Sequence, residues 1–235
     1  MRYLEPLVAG VLRRRFQRFL AEVELGDQQV VQAHVPNSGS MRGCSAPGSP
    51  CLLARAAGPR RRLPWTLEQV CAGGVAVGVN TNRANTLALE ALATGVLPLP
   101  ELGFPFTARR EVASGDGRRL DLCLEDAWGA YWVEVKNVTW VEGGTALFPD
   151  APTTRGARHL DTLARLRRGG QRAALVYVVQ RGDAQAVAAA EAVDPQYAQA
   201  LRAARAAGVA LRAVEVEVRP WGLAPRRELP VELPG

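Results

Sequence analysis

Residues 118–137 read RRLDLCLEDAWGAYWVEVKN, and the fold of the second half of the chain depends on how this stretch is paired. Two runs alternate apolar and polar residues, the period of a half-buried strand. If residues 126–129 form the loop of a hairpin, Glu125 faces Ala130, Leu122 faces Val133 and Asp121 faces Glu134. Leu120, Leu122 and Leu124 then share a buried face with Tyr131, Val133 and Val135, and a slip of one residue would destroy that match. Asp121, Glu134 and Lys136 project from the opposite face. Residues directly opposed across a hairpin have Cβ atoms roughly 4.5–5.5 Å apart, so two carboxylates placed there repel each other. A divalent cation would offset the repulsion, and hard oxygen donors suit magnesium or manganese. Lys136, about 6.6 Å further along the same face, adds a positive charge. The bland alternative is an exposed strand face on which the lysine alone screens two acids.

Lys136 is the single lysine among 29 cationic side chains; the others are arginine. An ammonium is a compact point charge that can approach one oxygen closely and can lose its proton, whereas a guanidinium is a broad fork that stays charged. That difference suits Lys136 to a place beside a metal-bound or reacting oxygen.

Outward from the hairpin, the C-terminal part predicts a mixed sheet with helices on its faces. Its segments are a helix in NRANTLALEALATG from Asn82, a strand near Glu111, the hairpin, an arginine-rich helix over 154–168, the apolar strand AALVYVV, a helix opened by Asp194-Pro195 and the strand VALRAVEVEV. Residues 1–79 read as all-β. VLRRRFQRFLAEVEL and QQVVQAHV flank a turn at Gly26-Asp27, and short segments broken by Pro and Gly follow, which suggests a small barrel of OB type.

At 235 residues and 48% hydrophobic composition the chain can bury a real core in one large or two small domains. Its apolar runs are too short for a membrane span and its first residues lack a signal-peptide block, so no membrane is expected and a cytoplasmic location is. Cys44, Cys51, Cys71 and Cys123 are scattered, which argues against a zinc site or a disulfide framework. Ser38 and Ser40 in HVPNSGSM have no accompanying His/Asp set, so a tight polar turn is expected there rather than a serine nucleophile. The net charge of +6 and pI of about 9.7 favour a polyanionic partner. Three arginine clusters carry that charge: Arg13, Arg14, Arg15 and Arg18; Arg60, Arg61 and Arg62; and Arg155, Arg158, Arg165, Arg167 and Arg168.

Asp121 followed by Glu134-Val135-Lys136 on the next strand resembles the PD-(D/E)xK nuclease core, although Leu120 stands where the signature has proline. Four longer stretches are more specific: HVPNSGSM at 34–41, VGVNTNRAN at 77–85, VEVKNVT at 133–139 and FPDAPTTRGARHL at 148–160. Together they resemble the sugar fermentation stimulation protein A (SfsA) family over nearly the full chain. The resemblance implies an OB-fold barrel over 1–79 and a PD-(D/E)xK, restriction-endonuclease-like α/β domain over 80–235. It also implies DNA binding without strong sequence specificity and a regulatory role in sugar (maltose) metabolism. Carried over by position, Glu90 on the first helix, Asp121, Glu134 and Lys136 are the expected catalytic residues. Asp121, Glu134 and Glu90 would hold Mg2+ or Mn2+. Arg13, Arg14, Arg15, Arg18, Arg155, Arg158 and His159 are expected to meet nucleic acid. The partner expected is DNA, a homodimer is compatible with the chain, and whether it binds only or also hydrolyses phosphodiesters stays open at this point.

Overall fold

The computed structural model describes residues 1–55, 62–115 and 117–233, so Arg60 and Arg61 lie outside the described residues. The N-terminal part contains β1 (Val8–Phe16), β2 (Leu20–Leu25), β3 (Val30–His34), β4 (Pro50–Arg55), β5 (Trp65–Ala72) and β6 (Val75–Gly78). They run in the order β3-β2-β1-β4-β5-β6, and a parallel pairing of β3 with β5 closes a five-strand barrel of the expected OB type. Leu12, Val23, Leu53 and Leu67 fill its interior. The segment expected as one strand, VLRRRFQRFLAEVEL, is a hairpin of β1 and β2. Its tip places Gln17 and Arg18 at φ of 46° and 62°, left-handed values that the sequence does not announce with glycine or asparagine.

After a 3-10 turn at Thr81–Arg83 come α1 (Ala84–Ala93), β7 (Thr107–Ala113), β8 (Arg119–Asp126), β9 (Gly129–Val138), β10 (Trp140–Glu142), β11 (Thr145–Phe148) and α2 (Thr154–Arg168). Then follow β12 (Arg172–Val179), β13 (Ala186–Ala189), α3 (Pro195–Ala206), β14 (Ala210–Arg219), β15 (Gly222–Leu229) and β16 (Val231–Glu232). The central sheet has the order β15-β14-β12-β9-β8-β7, with β12 parallel to both β9 and β14 and the outer pairs antiparallel. Helices cover both faces. Leu87 and Ala91 of α1 pack on Leu122, Val133 and Val176, while Leu160 and Leu163 of α2 and Tyr197 of α3 pack on Leu175 and Tyr177. Every residue of β12 is therefore buried, as a strand covered on both faces requires. Gly156, His159, Leu160, Leu163 and Ala164 form the buried stripe of α2 at helical spacing, and Thr153 caps that helix by accepting from the Gly156 N–H at 3.0 Å.

The decisive hairpin has the expected register, with Glu125 opposite Ala130 and Leu122 opposite Val133. Its ladder continues to Asp126 opposite Gly129, so the loop is two residues, not four. Leu120 departs from the expected face. It packs with the α2 and α3 core while Leu122 and Leu124 join the α1 core. The change of face coincides with an interruption of the β7–β8 ladder: Arg110 faces Leu122 and Val112 faces Leu120 in one unshifted register, while Glu111, between them, takes a left-handed φ of 51° and is left out of the pairing with Asp121. A left-handed residue is uncommon within a strand, and here it distorts the ladder just where Asp121 sits.

The two parts are locked together. The Gly78 N–H donates to the Gln180 carbonyl at 2.8 Å, and a Cβ at Gly78 would meet Gln180 Oε1 at 2.5 Å, so any side chain here would displace the Gln180 amide. Asp150 Oδ2 accepts from the Met41 N–H at 2.9 Å, the Ser40 hydroxyl donates to the Asp150 carbonyl at 2.9 Å, and a Cβ on Gly39 would lie 2.6 Å from Asp150 Oδ1. The first three residues belong with the second part rather than the barrel: the Leu223 N–H donates to the Met1 carbonyl and the Tyr3 N–H to that of Trp221. Among the described residues, no helix is long and apolar enough to cross a membrane.

Candidate functional site

Glu134 and Lys136 stand two residues apart on β9, facing α2. Glu134 is 1% exposed, and its Oε1 accepts from the Lys136 ammonium and from His159 Nδ1 of α2. Its other oxygen, Oε2, is buried with no hydrogen-bond partner. Burial opposes ionisation of Glu134, but the Lys136 charge and the His159 contact outweigh it and hold its pKa below the ordinary value.

Asp121 closes on the same strand. Its Oδ2 accepts from the Val135 N–H at 2.8 Å and its Oδ1 from the Asn85 amide of α1 at 3.3 Å. Burial, and next the charge of Glu134, push its carboxyl upward in pKa, with Val135, Lys136 and Asn85 opposing. Two carboxylates, one carrying an unpartnered buried oxygen, are thus held close on adjacent strands. No group of three His, Cys, Asp or Glu donors gathers among the described residues. The donor set fits a small hard cation that uses one or two carboxylates and completes its shell with water or phosphate oxygens, as magnesium does.

Glu90 is not brought to this cluster. Its carboxylate accepts from the N-terminal ammonium of Met1 at 2.8 Å and is 35% exposed. Five residues after Asn85, it points about 140° away around α1, and about 7.5 Å further along it, from the side that meets Asp121. Asn85 occupies the position on α1 that sequence reasoning gave to Glu90. Asn85 closes the stretch VGVNTNRAN at 77–85, but only the helix orientation reveals its role.

His159 is also reassigned. It belongs to the buried stripe of α2, 7% exposed, where it donates toward Glu134 and accepts from Arg155 Nε at 3.4 Å. It orients the carboxylate and is too deeply placed to meet a nucleic-acid backbone. The arginine cluster on the first hairpin divides. Arg13 pairs with Glu24 and Arg14 forms two hydrogen bonds with Glu22, while Arg15 turns inward to the carbonyls of Asn37, Gly39 and Ser40. Only Arg18, at the left-handed tip, reaches the site.

Lys136 floors a cleft of about 460 Å³ between the barrel and the second part. Arg18, Asn37 and Ser38 line it from the barrel, and Trp140, Phe148 and Arg155 from the other side. Arg158, one turn beyond Arg155, is exposed and has no ion-pair partner among the described residues. Arg110 donates to the Thr86 hydroxyl at 3.1 Å and Arg118 to that of Thr162 at 3.2 Å, which ties β7 to α1 and the β7–β8 turn to α2.

Comparison with known proteins agrees with this architecture. Residues 14–79 match the SfsA N-terminal OB domain and residues 82–222 the sugar fermentation stimulation protein RE domain. Sugar fermentation stimulation protein homologues from Geobacter metallireducens and Halorhodospira halophila are each 49% identical, covering 99% and 98% of this chain and 100% and 98% of their own. The structure of Pyrococcus furiosus SfsA, in complex with Ca2+, superimposes with a TM-score of 0.88 at 29% identity over 99% of this chain and 98% of that one. With both domains matched and the likeness running from end to end, the chain belongs to the SfsA family of sugar fermentation stimulation proteins.

Proposed function

We propose that this protein binds DNA through its backbone, without strong sequence preference, and that Asp121 and Glu134 hold a magnesium or manganese ion at the floor of the interdomain cleft. One observation carries the reading: the buried Glu134 carboxylate has an unpartnered oxygen, feels the charge of Asp121, and is held by Lys136, which lines a cleft edged by Arg18 and Arg155. The Ca2+ bound by the Pyrococcus furiosus relative supports a hard divalent cation here. When bound, such an ion supplies Lewis acidity toward phosphoryl oxygens and water. The chain's own groups do the rest. His159 and Lys136 fix Glu134, the Val135 N–H and Asn85 fix Asp121, and Arg18 and Arg155 offer charge to phosphates. A regulatory role in sugar (maltose) metabolism belongs to the same proposal; the family's name, sugar fermentation stimulation protein, supports the link to sugar.

A second reading, a metal-dependent nuclease hydrolysing phosphodiesters, is favoured by Lys136. It is only 13% exposed yet lines the cleft, placed to meet negative charge that develops on a phosphate. Titration calorimetry with Mg2+, Mn2+ and chelator, on wild type and Asp121→Asn, tests the site. Heat with Mg2+ or Mn2+ that the variant weakens by at least about tenfold is expected, because one anionic ligand is gone. Absence of heat in the wild type defeats both readings. Incubating the same proteins with circular and linear DNA then separates them, since only the nuclease converts substrate in a metal-dependent way that Asp121→Asn abolishes.

A further inference from the structure

We propose that the cleft receives an unpaired strand, so that the protein engages single-stranded DNA, overhangs and strand ends rather than the interior of an intact duplex. This rests on the reading of the cleft as a nucleic-acid site. The lysine and the carboxylate it holds are recessed, Glu134 being 1% and Lys136 13% exposed, and from the cleft a phosphate meets Lys136 by descending between two walls. Those walls come from different domains and are fastened together. Arg15 holds the 37–40 loop through three carbonyls, and Asp150 clasps the same loop from the other side. Arg15 stiffens the barrel wall, and the cleft does not widen without breaking the bonds to Asp150.

Its volume, about 460 Å³, lies in the range of about 300–1,000 Å³ typical of pockets that enclose one small molecule. One nucleotide is of that scale, whereas two paired strands are not. A duplex would have to unpair and unstack a nucleotide to place it there, a cost that an unpaired strand does not bear. Trp140, Leu147 and Phe148 give a base an apolar wall, while Arg18, Lys136 and Arg155 supply charge for its phosphates.

The charge pattern points the same way. A long duplex footprint needs many free cations on one face, but Arg13 and Arg14 are neutralised by Glu24 and Glu22 and Arg15 is consumed by carbonyls. What remains at the cleft is a short run of contacts suited to a few nucleotides. Three such contacts on a single strand give a slope of log affinity against log salt of about −2.

The test measures anisotropy of labelled DNA of mixed sequence in chelator: a single strand of about 12 nucleotides, a blunt duplex of the same sequence, and that duplex with an overhang. Closed circular duplex serves as competitor. The single strand and the overhang are expected to bind at least about tenfold more tightly than the blunt duplex. In Ser38→Trp, which fills the cleft from an exposed position that makes no hydrogen bond, that preference is expected to disappear while circular dichroism and the magnesium heat stay unchanged. Equal or tighter binding of blunt or closed duplex overturns this proposal and leaves the nucleic-acid reading standing, as does undiminished single-strand affinity in a folded Ser38→Trp. Failure of the wild type to bind any of the DNAs overturns both.

Discussion

Glu134 Oε1 serves Lys136 and His159 at once, while Oε2 is buried without a partner. A buried carboxylate in that state costs free energy unless positive charge accompanies it, and here one ammonium is shared between two acids. Asp121 bears the consequence, since both its own burial and the neighbouring charge disfavour its ionised form. Asp121→Asn removes a charge but keeps an acceptor for the Val135 N–H. Relief of close like-charge repulsion is worth roughly 0.2–1 kcal/mol. In metal-free buffer the variant is therefore expected to melt about 1–4 °C higher than wild type. Added Mg2+ should reverse the order, because a ligand bound only by the native state raises the wild-type midpoint by mass action. A lower apo midpoint in the variant would show that Asp121 acts as an ordinary structural acceptor. Glu90 offers the contrast: Glu90→Gln, which touches the Met1 ammonium and not the cluster, should leave magnesium affinity within about twofold of wild type. A loss comparable to that of Asp121→Asn would return Glu90 to the site.

The β8–β9 hairpin shows how far elements were legible in the sequence. Its register was readable because one face is buried and alternation forbids a slip, yet the left-handed conformation of Glu111 and the turn of Leu120 to the other core leave no mark in the residue pattern. His159 was legible as a member of α2 but not as the partner of Glu134, although the buried spacing of Gly156, His159, Leu160, Leu163 and Ala164 carried that signal. The β1–β2 hairpin was missed because Gln17 and Arg18 adopt left-handed geometry without the usual turn residues. Its ion pairs carry a prediction: Arg13→Ala with Arg14→Ala should change DNA affinity by less than about twofold, whereas Arg18→Ala should lower it several-fold and make the salt slope shallower by about 0.7. A larger loss from the first pair would mean that Glu22 and Glu24 yield their partners to phosphate. At the far end of the hairpin, Asp126 takes two hydrogen bonds from Arg172, and one each from the Gly103 and Trp128 N–H groups. Arg172 above all holds this carboxyl well below the usual range, against the effect of burial. A depressed carboxylate pKa contributes stability that is full above the unfolded value near pH 4 and is lost as pH falls through the folded one. Asp126→Asn should accordingly lower stability at pH 7 and flatten the acid limb of the stability curve. An acid limb as steep as wild type would assign that loss to other carboxylates.

At the scale of the molecule, the cleft exists only because the barrel and the mixed sheet are held at fixed separation. Family models divide the chain near residue 80, yet the contacts across that division are short, specific and partly buried. The segment before the barrel is anchored in the second part, Met1 on Leu223 of β15 and Tyr3 on Trp221 just before it; Gln180 seats against Gly78, and Asp150 accepts from Met41 beneath Gly39. These contacts predict one cooperative unit instead of two independent domains. Asp150 is the most exposed to test, because its carboxylate is the acceptor for a backbone N–H of the other domain at 2.9 Å. Hydrogen bonds to charged groups contribute about 1.5–3 kcal/mol, a sizeable share of the stability of a small domain. Wild type should thus unfold in a single calorimetric endotherm whose van't Hoff and calorimetric enthalpies agree. Asp150→Ala should separate it into two, with the barrel melting first, because the barrel is the smaller unit and buries a smaller fraction of its surface. Single-strand affinity should fall in the same variant even below the first transition, since Arg18 and the 37–40 loop no longer stand opposite Lys136 and Arg155. A single endotherm displaced downward, with DNA affinity intact, would show that Gln180 and the N-terminal segment suffice to hold the two walls of the cleft.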